Sequence, residues 1–270
     1  MRITFPRKVT DYSHAYVRLL TVVRLLSMTT TILPKPLAML SALLLMAGFA
    51  GVANAATVDV FLQVQSFEKT MPEGAPVPMW GFAQCADNTF TGCTATAPGP
   101  QINAVAGDTL NIHVNNDLGV VPVSVTIPGQ AGSADGTPVM MASAPNRVQS
   151  FASETAAGAT TTYTWSSLTA GTYLYQSGTF PSIEVPMGLY GALVVTETAA
   201  GTAYGYNYDA ETVLLLSEID PYQNTRVANA AIAIPDINCV PLAEYKLNMT
   251  AGYPCAVDYD PTYFQINGAS

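Results

Sequence analysis

The sequence predicts an all-β protein, an antiparallel β-sandwich or barrel, on three observations. Some segments alternate apolar and polar residues at period two, most clearly Thr57–Phe67 (TVDVFLQVQSF) and Thr109–Asn115 (TLNIHVN). Strand-like segments recur at short intervals with Gly, Pro, Asn and Asp between them, and no stretch carries a convincing helical period. Only 11% of the 270 residues are charged, against roughly 25% in an ordinary globular chain, while 49% are hydrophobic. Thr, Ala, Gly, Val and Tyr fill the difference, a mixture that suits strands and tight turns better than surface helices.

Residues 1–55 stand outside this pattern. Leu37–Ala50 (LAMLSALLLMAGFA) is apolar and uncharged, follows Lys35 and precedes Ala53-Asn54-Ala55. A basic flank, a short apolar run and a small-x-small site predict a secretory leader cut after Ala55, and hence a periplasmic or extracellular protein. The run is short for a membrane span, and an uncleaved anchor is the alternative. Arg2, Arg7, Lys8, Arg18 and Arg24 lengthen the basic region, and Met28 offers a second start. Cleavage leaves Lys69, Arg147, Arg226 and Lys246 against eighteen acidic residues, a net charge of −14. That field repels nucleic acid and anionic lipid, so neither is an expected partner, and it keeps an apolar exported chain soluble.

The four cysteines all follow the leader. Cys85 and Cys93 bracket a polar turn-rich segment, and Cys239 and Cys255 a longer one. An even count in an exported chain predicts disulfides, paired locally as 85–93 and 239–255. Metal ligation is the second reading, weakened by the lack of C-x-x-C spacing and of nearby histidine.

Along the chain, Thr57–Phe67 is a half-buried strand and Glu68–Pro78 a Pro-rich connection. Met79–Ala83 and Gln101–Val105 are short strands on either side of the Cys85 loop. After the Ala106-Gly107-Asp108 turn, Thr109–Asn115 places Leu110, Ile112 and Val114 on one face and Asn111, His113 and Asn115 on the other. Val120–Ile127 reads as a strand broken at Pro122, and residues 128–145 as a loop. Thr160–Trp165, Gly171–Tyr175 and Gly188–Val195 are strands, the last two joined by a loop that begins Gln176-Ser177-Gly178. One domain therefore covers residues 56–200. Residues 201–270 hold a tyrosine-rich linker, a buried strand Glu211–Ser217, a turn at Glu218–Pro221 and a final strand-and-turn, Tyr263–Gly268.

Several of these segments resemble the multicopper oxidase family. PGPQINAVAGDTLNIHVNNDL (98–118) is similar to the family's opening PGP, GD and NN-L signature. TYTWSSLTAGTYLYQSG (162–178) with VPMGLYGALVV (185–195) resembles its GT-Y-x-Y-H-x-H and QMGLYG segment. LLLSEIDP (214–221) and YFQING (263–268) resemble the start of its second domain. The resemblance implies a cupredoxin-like Greek-key β-sandwich over residues 56–200, with an incomplete second cupredoxin-like segment after it. It also implies copper as cofactor, held partly by two H-x-H pairs of this domain. Those positions read Ser124-x-Thr126 and Gln176-x-Gly178 here. Copper(II) at such sites takes imidazole nitrogen, which none of the four supplies. The only histidine after the leader is His113, on the polar face of its strand and expected to be solvated.

Other chemistries find less support. Met71, Met79, Met140, Met141 and Met187 are conceivable Cu(I) thioether ligands, although Met187 lies in the GLYG segment and reads as core. There is no G-x-S-x-G, P-loop or G-x-G-x-x-G, and no histidine base for a Ser-His-Asp triad. Glu218 and Asp220 read as turn caps rather than an acid–base pair. Two functions follow. The first is a copper-free, non-catalytic structural or interaction module, or truncated remnant, that self-associates through exposed strand edges. The second is the N-terminal part of a longer or split oxidase, whose further cupredoxin domains hold the copper and the activity.

Overall fold

The structure, a computed structural model, describes residues 55–119, 121–130, 139–140, 148–198, 201–229 and 259–269. The leader, Val120, Met141, Cys239 and Cys255 lie outside the described residues, as does most of 128–145. Residues Ala55–Ser270 make up one compact unit.

Two sheets face each other across the main core. The first has the order β2 (Pro76–Cys85), β1 (Thr57–Thr70), β4 (Thr109–Asn116) and β7 (Thr160–Trp165). The second has the order β3 (Ile102–Val105), β9 (Tyr190–Thr196) and β8 (Gly171–Gln176). The period-two pattern decides which side chains meet between them. Leu62 and Val64 of β1, Leu110, Ile112 and Val114 of β4, and Tyr163 and Trp165 of β7 are all buried. Ile102, Ala104, Tyr175, Leu193 and Val195 come from the other sheet and join the same cluster. Burying a large apolar side chain of this kind contributes about 1.5–3 kcal/mol.

The sequence-predicted strands 57–67, 79–83, 101–105, 109–115, 160–165 and 171–175 each fall on one of these elements. Three expectations need correction. The pairing is not wholly antiparallel: β1 runs parallel to β4, with Val58 opposite Leu110, and β3 runs parallel to β9, with Ile102 opposite Leu193. Alternation records which face is buried and carries no information on strand direction. Val120–Ile127 is not a continuous strand among its described residues. It makes isolated bridges, Val123 to Thr155 and Thr126 to Gln176, while Val121, Val123, Val125 and Ile127 fill the core. The expected loop before Gly188 contains a helix, α1 (Pro181–Met187), entered from Phe180 in a left-handed conformation and ended by Gly188. Its seven residues include two prolines, which hid it from a periodicity search.

Beyond β9 lie two short hairpin strands, β10 (Thr202–Ala203) and β11 (Tyr206–Asn207). Two more short strands, β5 (Val139–Met140) and β6 (Val148–Ser150), pair in the loop region before β7. The buried strand expected at 211–217 is displaced to β12 (Leu216–Ile219), and only Ile219 of it is buried. Leu214 and Leu216 are 62% and 73% exposed. β12 pairs with β13 (Tyr263–Ile266), which leads into a turn at Asn267 and Gly268, both at positive φ, as YFQING predicts. Between them α2 (Pro221–Asn229) starts on Asp220, whose Oδ1 accepts the backbone N–H of Tyr222 (2.9 Å) and Gln223 (3.0 Å). Asp220 is therefore a helix cap, in line with its reading as a capping carboxylate. α2 buries Gln223, Asn224 and Arg226 with Val227, so no apolar stripe marks it in the sequence. Cys85 and Cys93 are joined in the expected disulfide.

Candidate functional site

The four positions singled out in the sequence, Ser124, Thr126, Gln176 and Gly178, are brought together. Thr126 and Gln176 form an antiparallel bridge, Thr126 N–H to Gln176 O at 2.8 Å and Gln176 N–H to Thr126 O at 3.0 Å. The bridge ties the 121–127 segment to the end of β8 and sets Ser124 beside Gly178, whose N–H donates to Ser124 Oγ at 3.1 Å.

Ser124 is the centre of a buried hydroxyl network. Its Oγ lies 3.1 Å from Ser150 Oγ and 2.9 Å from Thr179 Oγ1, and Thr179 Oγ1 is also 3.0 Å from Ser150 Oγ. Ser150 passes its proton outward to the carbonyl of Ala152 at 2.7 Å. Ser124, Ser150 and Thr179 are fully buried, so each relies on the others for hydrogen bonds. Gly178 fits only because it lacks a side chain: a Cβ there would sit 2.6 Å from Thr126 Cγ2 and 3.1 Å from Ser124 Oγ.

A buried acid adjoins the network. Ser177 Oγ donates to Glu184 Oε2 at 2.5 Å, and Glu184, on α1, is entirely buried with Oε1 unpartnered among the described residues. Burial raises its carboxyl well above the usual carboxylate range; the Ser177 hydrogen bond opposes this and the charge of Glu154 adds to it. Nearby Tyr163 is pushed up to about 12, mainly by burial, while its hydroxyl donates to Ser153 O at 2.6 Å.

A folded-state pKa raised above the unfolded value gives a definite sign. Protonated Glu184 supports the fold fully below its unfolded value near 4.5, and this support is lost as pH rises toward the folded value. Glu184→Gln should therefore match the parent at pH 4 and become progressively the more stable of the two above that. The gap should open by at most about 1.4 kcal/mol per pH unit. Urea titrations of both proteins from pH 4 to 8 check this, and parallel pH profiles would refute it.

The remaining sequence candidates lie elsewhere. His113 is on the outer face of β4 but is not simply solvated. Its Nε2 is 2.9 Å from Asp59 Oδ1, its Nδ1 is 2.8 Å from Thr162 Oγ1, and its ring stacks on Phe61 at 4.7 Å. The His113 hydrogen bond is the main reason the Asp59 carboxyl lies below its ordinary value. Met187 is fully buried in the main core, and Met71 and Met79 belong to a second apolar cluster with Val77 and Ile219. Their side chains pack in these clusters, Met79 Sδ also accepts a hydrogen bond from Asn224 Nδ2 at 2.8 Å, and Met140 is exposed. Among the described residues no three His, Cys, Asp or Glu side chains converge. The sequence reading did not single out Ser150, Thr179 or Glu184. Only Glu184, a lone carboxylate inside the otherwise uncharged 181–187 segment, carried a readable signal.

Residues 79–200 match the family model described as multicopper oxidase. That segment is similar to the multicopper oxidase family, in agreement with the resemblance carried by its motifs. L-ascorbate oxidase of Nicotiana tabacum is 35% identical to this chain over 136 residues, 49% of this chain and 21% of the oxidase. L-ascorbate oxidase of Cucumis sativus is 32% identical over 144 residues, 52% of this chain and 22% of the oxidase. The chain thus spans about a fifth of the length of these curated relatives. Among solved structures, Fet3p, a multicopper oxidase that functions in iron import, superposes with a TM-score of 0.51 at 19% identity, over 79% of this chain and 33% of Fet3p. At that identity the likeness shows the fold alone, and the all-β, cupredoxin-like architecture is the expected one. Of the four positions where the resemblance puts the family's histidines, Ser124 belongs to the hydroxyl network and Gly178 donates its N–H to it.

Proposed function

We propose that this chain is an exported cupredoxin-like domain of the multicopper oxidase family that works without copper, as a non-catalytic structural or interaction module. One observation carries the reading: Ser124 is bonded to Ser150, Thr179 and Gly178 within a closed, buried network. The donor set does not fit copper(II). Hydroxyls, an amide and a glycine replace imidazoles, the buried hydroxyls already satisfy one another, and Gly178 has no room for a ring. No redox step is therefore derived from these residues. Export rests on the leader pattern that ends at Ala55.

The test is metal analysis of the full-length protein after copper loading and desalting. Copper well below one equivalent per chain is expected. Stoichiometric copper, with its visible absorption, would overturn the reading.

A second reading is that the chain is the N-terminal part of a longer or split oxidase, with copper and oxidation belonging to the whole. The β12–β13 pair favours it. Leu216 and Ile266 are cross-strand partners, and Leu214, Leu216, Phe264 and Ile266 are all at least half exposed. A two-stranded sheet is marginal alone, and an apolar face of this kind suits further cupredoxin strands or a second copy of the chain. An H-C-H segment encoded beyond Ser270 would decide for this reading.

A further inference from the structure

Beside the hydroxyl network lies a cleft of about 400 Å³, between the 126–130 segment on one side and Phe151, Gln176–Gly178 and Pro181 on the other. We propose that it binds a small uncharged molecule with one flat apolar ring and one hydrogen-bonding group. Its volume falls in the range of small-molecule sites, and such sites are mostly apolar with a few placed polar groups. Ile127, Pro128, Phe151 and Pro181 supply the apolar walls. Phe151 is a large aromatic left 54% exposed at the rim, with a ring face to offer a planar ligand.

The polar groups are already sorted by their hydrogen bonds. Ser177 is committed to Glu184, and the Gln130 carboxamide to the backbone of Thr169 at 2.7 and 3.1 Å. The half-buried Gln176 carboxamide has no hydrogen-bond partner among the described residues, and it offers both a donor and an acceptor to the cleft. Among the described residues, no charged side chain lines the cleft. An ion entering it would lose water without gaining a counter-charge, which selects against anions and cations alike. The inference concerns this domain alone and holds under either reading of function.

The test uses three probes of one shape: benzyl alcohol, benzoate and benzylammonium, titrated into the full-length protein and followed by amide and side-chain NMR shifts. Benzyl alcohol should give saturable shifts centred on Phe151 and the Gln176 side-chain amide. The two ions should bind about tenfold or more weakly, as the loss of one buried polar match implies. Gln176→Leu leaves the backbone bridge to Thr126 available, and Phe151→Ala removes only the rim. Each should weaken benzyl alcohol several-fold while the remaining spectrum stays that of the folded parent. The proposal fails if benzyl alcohol does not saturate, if the ions bind as well, or if both variants bind it as the parent does. Copper content is unaffected by any of these outcomes, so this test and that of the copper-free reading fail separately.

Discussion

Gly188→Ala is expected to destabilise the protein by more than about 4 kcal/mol, a large share of the roughly 5–15 kcal/mol by which domains are stable. Two independent penalties coincide at this residue. Its φ of +121° is a conformation that side chains rarely adopt. A Cβ there would also stand 2.2 Å from the backbone oxygen of Trp80 and 2.7 Å from Ala97 Cβ. The first obstacle is main chain in the middle of β2, so no side-chain rotation relieves it. Gly188 also ends α1, its N–H donating to Val185 O at 2.9 Å, so a shift there would pull on the helix that holds Glu184. Gly119→Ala is the control. It has a φ of +82° but nothing within 4 Å of the added carbon, so it should lose only about 1 kcal/mol through backbone strain. Thermal and urea unfolding of both variants make the measurement. Equal losses would show that the contact with β2 is unimportant.

Gly188 also marks how far the sequence could be read. The GLYG segment was recognisable as family pattern, and the structure gives its physical reason. Gly188 and Gly191 are each pressed against a neighbour: a Cβ on Gly191 would meet the Tyr175 ring at 2.3 Å. Strands with one buried face were legible because burial imposes alternation, as in Thr109–Asn116 with its strict intermediate–buried pattern. Elements without such a face were not. α1 is too short and proline-rich to show a period, and α2 buries amide and guanidinium groups that composition counts as polar. Leu214 and Leu216 were read as buried because they are apolar, yet they are exposed; hydrophobicity shows what a residue would bury, not whether a surface is present to receive it. At the site, the positions 124, 126, 176 and 178 were legible from family spacing. Their partners Ser150 and Thr179 were not, because an isolated hydroxyl carries no periodic signal and acquires meaning only when three of them are buried together.

That network leads to the second large effect. Gly178→His, which places the family's residue at this position, should destabilise the fold by about 3 kcal/mol or more, because the added atoms overpack a site already closed by Thr126 and Ser124. Gln176→His should change stability by less than about 1 kcal/mol, since that side chain is half-exposed and has no hydrogen-bond partner among the described residues. A double-mutant cycle isolates the cause. Thr126→Ala removes the methyl carbon that a Cβ at 178 would meet at 2.6 Å, so Gly178→Ala should cost at least about 1 kcal/mol less in the Thr126→Ala background than in the parent. Additive losses would mean that the site accommodates a side chain without repacking. The expected non-additivity has a consequence for the chemistry. If residues 124, 126 and 178 are packed as one unit, single histidine substitutions will not restore a copper ligand pair, since each places a ring where a neighbour already sits. The hydroxyl network is then a repacked core element, which stabilises the loop between β8 and α1 in a conformation that imidazoles do not fit.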